Sequence, residues 1–244
     1  MEKSINSKTV MITGAGSGIG KALALRLSVL GANIMLLGGR TESKLKSVCD
    51  EIISNGGKCI YYHGDLNDDN VQKNGIEYAL DKFGKIDILI NNAGSAMNGS
   101  FDTVTKEQYD EIMNLDVKVP FFLTQKLLPY LRKSDYAMII NIASSLAHSG
   151  YPNQSVYAAA KHALLGFSKS LANEVYKDDI RVHVISPGGV FTEMVKLTRP
   201  DLTGDNMIVP EDIADTVAFL VQNRGNAVID EIILHRVNKE PFNI

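Results

Sequence analysis

Seven short apolar runs, separated by segments of helical pattern, constrain this chain more than any other feature. They are KTVMIT (8–13), ANIMLL (32–37), KCIYYH (58–63), IDILIN (86–91), AMIINI (137–142), RVHVIS (181–186) and VIDEIIL (228–234). The runs are continuous rather than alternating, the pattern of strands buried on both faces. Helix-like segments lie between them, near 18–30, 41–55, 68–83, 105–133, 154–177 and 211–223. Thr41 begins T-E-S-K, and Pro210 precedes the acidic pair Glu211–Asp212; both are helix-start signals. Strand–helix alternation of this kind predicts a parallel α/β sheet with helices on both faces, a doubly wound Rossmann-type arrangement. No linker, low-complexity tract or repeat breaks the 244 residues, so residues 1–244 are expected to form one domain.

Composition removes several function classes. Hydrophobic residues make up 45% and charged residues 22%, with a formal net charge of −3. No basic stripe supports nucleic-acid binding. The five His and two Cys show no metal-ligand spacing, so no metal site is expected. Cys49 and Cys59 read as buried or idle thiols of a reducing compartment. The start, MEKSINSKTV, has no apolar signal region, and no run reaches the length of a membrane span. A cytoplasmic protein is expected.

After the first strand comes TGAGSGIG, Thr13 to Gly20, opening a helix. Glycines let the backbone turn tightly and approach a phosphate, and the helix N-terminus offers free N–H groups and partial positive charge. The spacing is G-x-x-x-G-x-G over Gly14, Gly18 and Gly20, with Gly16 extra and Ser17 and Ile19 between them. A carboxylate about 20 positions on would hydrogen-bond the ribose of NAD. Here that position is Gly39, followed by Arg40. No acid stands there to repel a 2′-phosphate, and a guanidinium can pair with one, so NADP(H) is favoured over NAD(H), with Glu42 as the nearby counterweight. Further on, GDL (64–66) and NNAG (91–94) follow the third and fourth strands, at the ligand-binding edge of such a sheet. Asp65 is positioned to accept from an adenine amine. Asn91 either ties neighbouring strand ends together or contacts the cofactor.

YAAAK places Tyr157 and Lys161 at i and i+4, on one helical face. A phenol of pKa about 10 needs a neighbouring cation to exchange protons near neutrality; a shift of roughly three units takes about 4 kcal/mol. Tyr78 and Lys82 repeat the spacing without an upstream hydroxyl and read as a surface helix pair. Tyr157 differs, because Ser144 lies thirteen residues earlier, just past the strand AMIINI. A serine there can hydrogen-bond the carbonyl oxygen that the tyrosine protonates.

Taken together, TGAGSGIG, NNAG, Ser144, YAAAK and SPGGVFTEM (186–194), in this order and spacing, resemble the short-chain dehydrogenase/reductase family over nearly the whole chain. The resemblance implies a seven-stranded parallel sheet binding NAD(P)(H), and hydride transfer between the nicotinamide and a ketone or secondary alcohol. It implies Ser144 as carbonyl-orienting group, Tyr157 as acid/base, and Lys161 as nicotinamide-ribose ligand and pKa modifier. It places Thr192 and the backbone near Val190 against the carboxamide, and the cofactor along Gly14, Ser17, Gly18, Ile19, Gly20, Asp65, Leu66, Asn92, Ala93, Gly94, Pro187 and Gly188. The chain's tail, AVIDEIILHRVNKEPFNI, departs from the TGQ…VDGG-like ending of many members and is closer to tails of ketone and 3-hydroxy-acid reductases. The tail speaks against a 3-oxoacyl carrier-protein reductase in particular, while the resemblance as a whole implies a substrate of 3-oxoacyl or 3-hydroxy-acid type. A catalytically inactive NADP(H)-binding redox sensor is the alternative.

A second departure lies in IMNLDVKVP (112–120). The family's fourth catalytic position, an asparagine, falls on Asp116. Pro120 lacks an N–H and cannot donate to the Asp116 carbonyl, so the helix is expected to open there. In the family that residue's main-chain carbonyl holds a water leading to the lysine, a role Asp116 can keep through its backbone. Its side chain then needs a partner of its own.

The substrate pocket is expected from Ser95–Met97, Leu146–Tyr151 and Val190–Met194, with a short loop insertion at 192–210. His148 and Tyr151 are its polar options, and Lys196 and Arg199 read as surface charges. Helices 105–133 and 154–177 carry broad apolar faces; by resemblance they pack against a second copy, giving a homodimer or homotetramer.

Overall fold

The seven apolar runs all become strands of one parallel sheet in the order β3-β2-β1-β4-β5-β6-β7. The structure is a computed structural model that describes residues 5–198 and 203–240. The strands are β1 Thr9–Thr13, β2 Asn33–Leu37, β3 Lys58–Tyr62, β4 Ile88–Asn91, β5 Met138–Ile142, β6 Arg181–Pro187 and β7 Glu231–Leu234. The order reverses direction between β1 and β4, and at such a switch point the strand ends leave a crevice.

Period-two side-chain geometry explains why the runs are continuous. Val10, Ile12, Ile88, Ile90, Met138 and Ile140 join one core layer, while Met11, Leu89 and Ile139 join the other. The first layer is completed by α1 (Gly18–Val29), α2 (Glu42–Ser54) and α8 (Pro210–Gln222). The second is completed by α3 (Asp69–Phe83), α5 (Val119–Leu131) and α6 (Ser155–Val175). Each fully buried Leu or Ile contributes about 1.5–3 kcal/mol, so neither face can be left uncovered. Cys49 on α2 and Cys59 on β3 are free, buried thiols of the first layer.

The expected single helix over 105–133 is three elements. A capping box starts α4 (Lys106–Met113): Gln108 N–H donates to Thr105 Oγ1 at 3.2 Å and Thr105 N–H to Gln108 Oε1 at 3.0 Å. A π-turn spans Asn114–Lys118, with Val119 N–H donating to the Asn114 carbonyl, five residues back. Pro120 then sits in the first turn of α5, where a missing N–H costs least. Thr41 precedes α2 but makes no side-chain cap bond. The last strand starts at Glu231 instead of Val228, and the 192–210 segment carries a short helix, α7 (Glu193–Thr198), that the sequence pattern did not suggest.

Candidate active site

The strand ends, the first turn and the loops after β5 and β6 enclose one groove of about 1340 Å³. At its floor, two glycines are set by close approach. A Cβ on Gly14 would meet Ala93 Cα at 2.8 Å, and Gly14 also has φ +66°. A Cβ on Gly20 would meet Asn92 Nδ2 and the Gly14 carbonyl, both at 2.5 Å. The turn is held from below by Thr13, whose Oγ1 accepts from the N–H groups of Asn92 and Ala93 at 3.0 Å each. Asn92 Nδ2 donates to the Thr13 carbonyl at 2.9 Å. Ser17 precedes α1 without capping it, so the first N–H groups of that helix have no side-chain acceptor. With Ser17, Gly18 and Ile19 lining the groove, these donors fit an anionic diphosphate.

At the adenosine end, Gly39 pairs with Gly64 across the sheet edge, and Asp65, Leu66 and Arg40 line the groove. Asp65 Oδ1 accepts from Asn67 N–H at 2.9 Å and Asn67 Nδ2 at 3.0 Å. Arg40 Nη2 meets Glu111 Oε1, from α4, at 2.5 Å. At the other end, Pro187, Gly188, Val190 and Thr192 line the wall after β6. Phe191 N–H donates to the Ile208 carbonyl at 2.8 Å, fixing this loop, and Thr192 Cγ2 lies 3.3 Å from a Cβ built on Gly18. Asn91 serves as a tie: its Nδ2 donates to Asn141 Oδ1 at 2.8 Å and to Thr124 Oγ1 at 3.2 Å, and it does not line the groove.

The groove centre holds Ser144, Tyr157, Lys161 and Asp116. Ser144 caps the start of the turn Ser145–Ala147 after β5, and its Oγ accepts from Leu146 N–H at 3.2 Å. Lys161 is buried; its Nζ donates to the Ile142 carbonyl at 3.2 Å and lies 5.4 Å from the Tyr157 ring centroid. The π-turn delivers Asp116, also buried, into the same pocket. Asp116 Oδ1 accepts from Ser95 N–H at 2.7 Å, and Oδ2 stands 3.1 Å from Lys161 Nζ as an ion pair rather than an aligned hydrogen bond. The acid therefore has the partner its burial demands.

These contacts set the proton affinities. Burial pushes the Tyr157 phenol above its ordinary value; Lys161 and Ser144 work against the rise, and the Asp116 charge adds to it. Burial works to lower Lys161, but Asp116 and Tyr157 outweigh it and hold the ammonium above its usual range. Burial also pushes the Asp116 carboxyl up, against the pull of Lys161 and the Ser95 N–H.

Of the expected substrate-side segments, Ser95–Met97, Leu146, Tyr151, Val190 and Thr192–Met194 line the groove. His148 does not: its Nε2 meets Glu231 Oε1 at 2.6 Å. Lys196 pairs with Glu193 at 2.6 Å, and Arg199 lies outside the described residues. Tyr78 and Lys82 lie on α3, away from the groove. The sequence reading missed Glu111, Met207, His235, Arg236 and Lys239, all of which line it. Among the described residues, no three His, Cys, Asp or Glu side chains gather as metal ligands, and no helix is long and apolar enough to cross a membrane.

Residues 8–203 match the family model of the short chain dehydrogenases. The chain is 30% identical to the hydroxynaphthalene reductase-like protein Arp2 of Metarhizium guizhouense, over 95% of this chain and 94% of that one. It is 30% identical to the 3-oxoacyl-[acyl-carrier-protein] reductase FabG of Thermotoga maritima (94% and 96%). It is 33% identical to the D-beta-hydroxybutyrate dehydrogenase of Rhizobium meliloti (86% and 82%). Among solved structures, the 3-ketoacyl-(acyl-carrier-protein) reductase of Brucella melitensis complexed with NADH superposes with a TM-score of 0.85 at 29% identity, covering 95% and 97%. A metagenomic short-chain oxidoreductase in complex with NADP gives 0.83 at 28%, covering 96% and 99%. On its sequence, its sheet order and the contents of its groove, the chain belongs to the short-chain dehydrogenase/reductase family of oxidoreductases, which act on carbonyl and hydroxyl groups with a nicotinamide cofactor.

Proposed function

We propose that this chain interconverts a ketone and a secondary alcohol with NADP(H), using Tyr157 as general acid/base, and that its substrates are of 3-oxoacyl or 3-hydroxy-acid type. The observation that carries the reading is the gathering of Ser144, Tyr157 and Lys161 around one point of a groove whose floor suits a diphosphate. NADP(H), when bound, supplies or takes the hydride at the carbonyl carbon. Ser144 is placed to donate to the carbonyl oxygen and fix its orientation. Tyr157 gives that oxygen its proton in reduction and takes it back in oxidation. Lys161 lies along the tyrosine ring and offsets part of the rise that burial imposes on the phenol. Pro120 cannot donate to the Asp116 carbonyl, so the ordinary helical bond to that oxygen is missing, and a proton path from Lys161 is expected to run through it.

NADP(H) is preferred because Gly39 stands where NAD-type sites carry an acid, and the next residue, Arg40, lies on the groove with its side chain 81% exposed. The names of the relatives, a 3-oxoacyl reductase and a hydroxybutyrate dehydrogenase, agree with the substrate class. The protein is expected to work as a homodimer or homotetramer in the cytoplasm, in keeping with the exposed Phe121 and Phe122 of α5 and with buried free thiols. The test is NADPH oxidation over a panel of 3-oxo compounds, with Tyr157→Phe as the control. This variant is expected to keep cofactor binding and lose nearly all turnover; retained turnover would remove Tyr157 from the mechanism.

A further inference from the structure

Charges on the groove wall are unevenly matched. Its carboxylates already have partners: Asp65 with Asn67, Glu111 with Arg40, Asp116 with Lys161, and Glu193 with Lys196. On the chain that follows β7 the situation is reversed. Arg236 and Lys239 line the same groove as Tyr157, and neither has an ion pair or side-chain hydrogen bond among the described residues.

Backbone contacts hold this arm in place. Gly188 N–H donates to the Leu234 carbonyl at 2.8 Å, which continues the β6–β7 pairing up to the point where the arm begins. Lys239 N–H donates to the Arg236 carbonyl at 3.0 Å, so a tight turn brings the lysine back beside the arginine. The arginine stem runs over Gly189: a Cβ there would stand 3.7 Å from Arg236 Cδ and 3.9 Å from Nε. Gly189 is one residue from Val190, on the wall where the nicotinamide end is expected. Arg236 is partly buried. A guanidinium held at the groove wall with no anionic partner among the described residues is open to an anion brought by a ligand. Its planar fork suits a carboxylate or a phosphate, and a second cation adds to the attraction.

We propose that Arg236, supported by Lys239, forms an anion subsite at the substrate end of the groove, and that the substrate carries an oxyanion remote from its reacting carbonyl. That oxyanion is either the carboxylate of a free 3-oxo or 3-hydroxy acid or the phosphate of a carrier-bound acyl group. The proposal rests on the reduction assigned above to Tyr157.

Two matched pairs distinguish the sources: acetoacetate against its neutral ethyl ester, and acetoacetyl-coenzyme A against the neutral acetoacetyl thioester of N-acetylcysteamine. The wild-type protein is expected to prefer the anionic member of one pair by roughly tenfold or more in kcat/KM, mainly through KM. Arg236→Gln should bring that ratio toward one, Arg236→Lys should restore part of it, and Kd for NADP+ should show no matching loss. Two results would overturn the proposal: the ratio unchanged in Arg236→Gln, or a loss of NADP+ affinity with the ratio intact, which would assign the arm to the cofactor phosphates. Calorimetry of acetoacetate and of coenzyme A on the NADP+ complex separates the two readings. Binding lost in Arg236→Gln without turnover of any pair in the wild type would uphold the subsite and sink the reduction. Turnover without anion preference would uphold the reduction and sink the subsite, and absence of both anion binding and anion preference would also sink it.

Discussion

At Asp116 a carboxylate occupies the position at which the family resemblance puts an asparagine, and it lies 3.1 Å from Lys161, whose charge works to lower the Tyr157 phenol. Its charge opposes the use of Lys161 to lower the phenol, and it also holds the ammonium protonated. The sign of Asp116→Asn follows. Removing the charge takes away a cause that raises Tyr157, so the phenolate forms at lower pH. Removing it also takes away the largest cause holding Lys161 up. Both limbs of the pH profile for alcohol oxidation are therefore expected to move to lower pH. The Ser95 N–H keeps an acceptor in the asparagine, so the chain should still fold. A kcat/KM profile that stays in place or moves to higher pH would show that the ion pair does not tune the tyrosine.

Individual elements were legible where one physical cause dominates. A strand buried on both faces has no polar alternation, and the runs that form the inner strands β1, β2, β4, β5 and β6 are such strands, while the edge strands β3 and β7 are only partly buried. The π-turn was legible only in part: Pro120 announces that one helical bond is missing, but nothing in its neighbours says that the chain answers with wider turns. Support at the far end of the sheet was not legible at all. Asp87, fully buried, accepts from Thr9 N–H at 2.8 Å and from Ser134 Oγ at 2.6 Å, and Lys85 Nζ lies at 3.2 Å. It joins β1, β4 and the approach to β5, and the sequence shows only one acid before an apolar run. Asp87→Ala leaves a buried N–H and hydroxyl without their acceptor. It should cost about 2–4 kcal/mol in urea unfolding while kcat/KM of the folded fraction stays within a factor of about two. A large loss of turnover at full stability would mean that this end of the sheet acts on the site.

Across the whole molecule, the candidate site was readable where its residues form compact motifs along the chain. TGAGSGIG and YAAAK each carry their own geometry, and apart from Asn91 the residues singled out for catalysis or cofactor line one groove. Glu111, Arg236 and Lys239 were not readable, because only tertiary folding brings a residue of α4 to Arg40 and the arm after β7 to the end of β6. The same scale governs assembly. Phe121 and Phe122 are 43% and 41% exposed on α5, and their rings stand 5.2 Å apart. Phe121 also lies tilted against Phe167 of α6, with ring centroids 5.2 Å apart, so the apolar surface runs from one helix to the next. Leaving such a contiguous patch in water is costly, and a second copy of the same face would cover it. Replacing Phe121 and Phe122 together by Glu puts like charges on both sides of that contact and leaves the core layers and the groove lining untouched. Light scattering should give the wild type a mass at a multiple of 26.7 kDa and the double variant a mass near one chain. If the wild type is already at 26.7 kDa, or if the variant keeps the wild-type mass, these two helices are not the contact between copies.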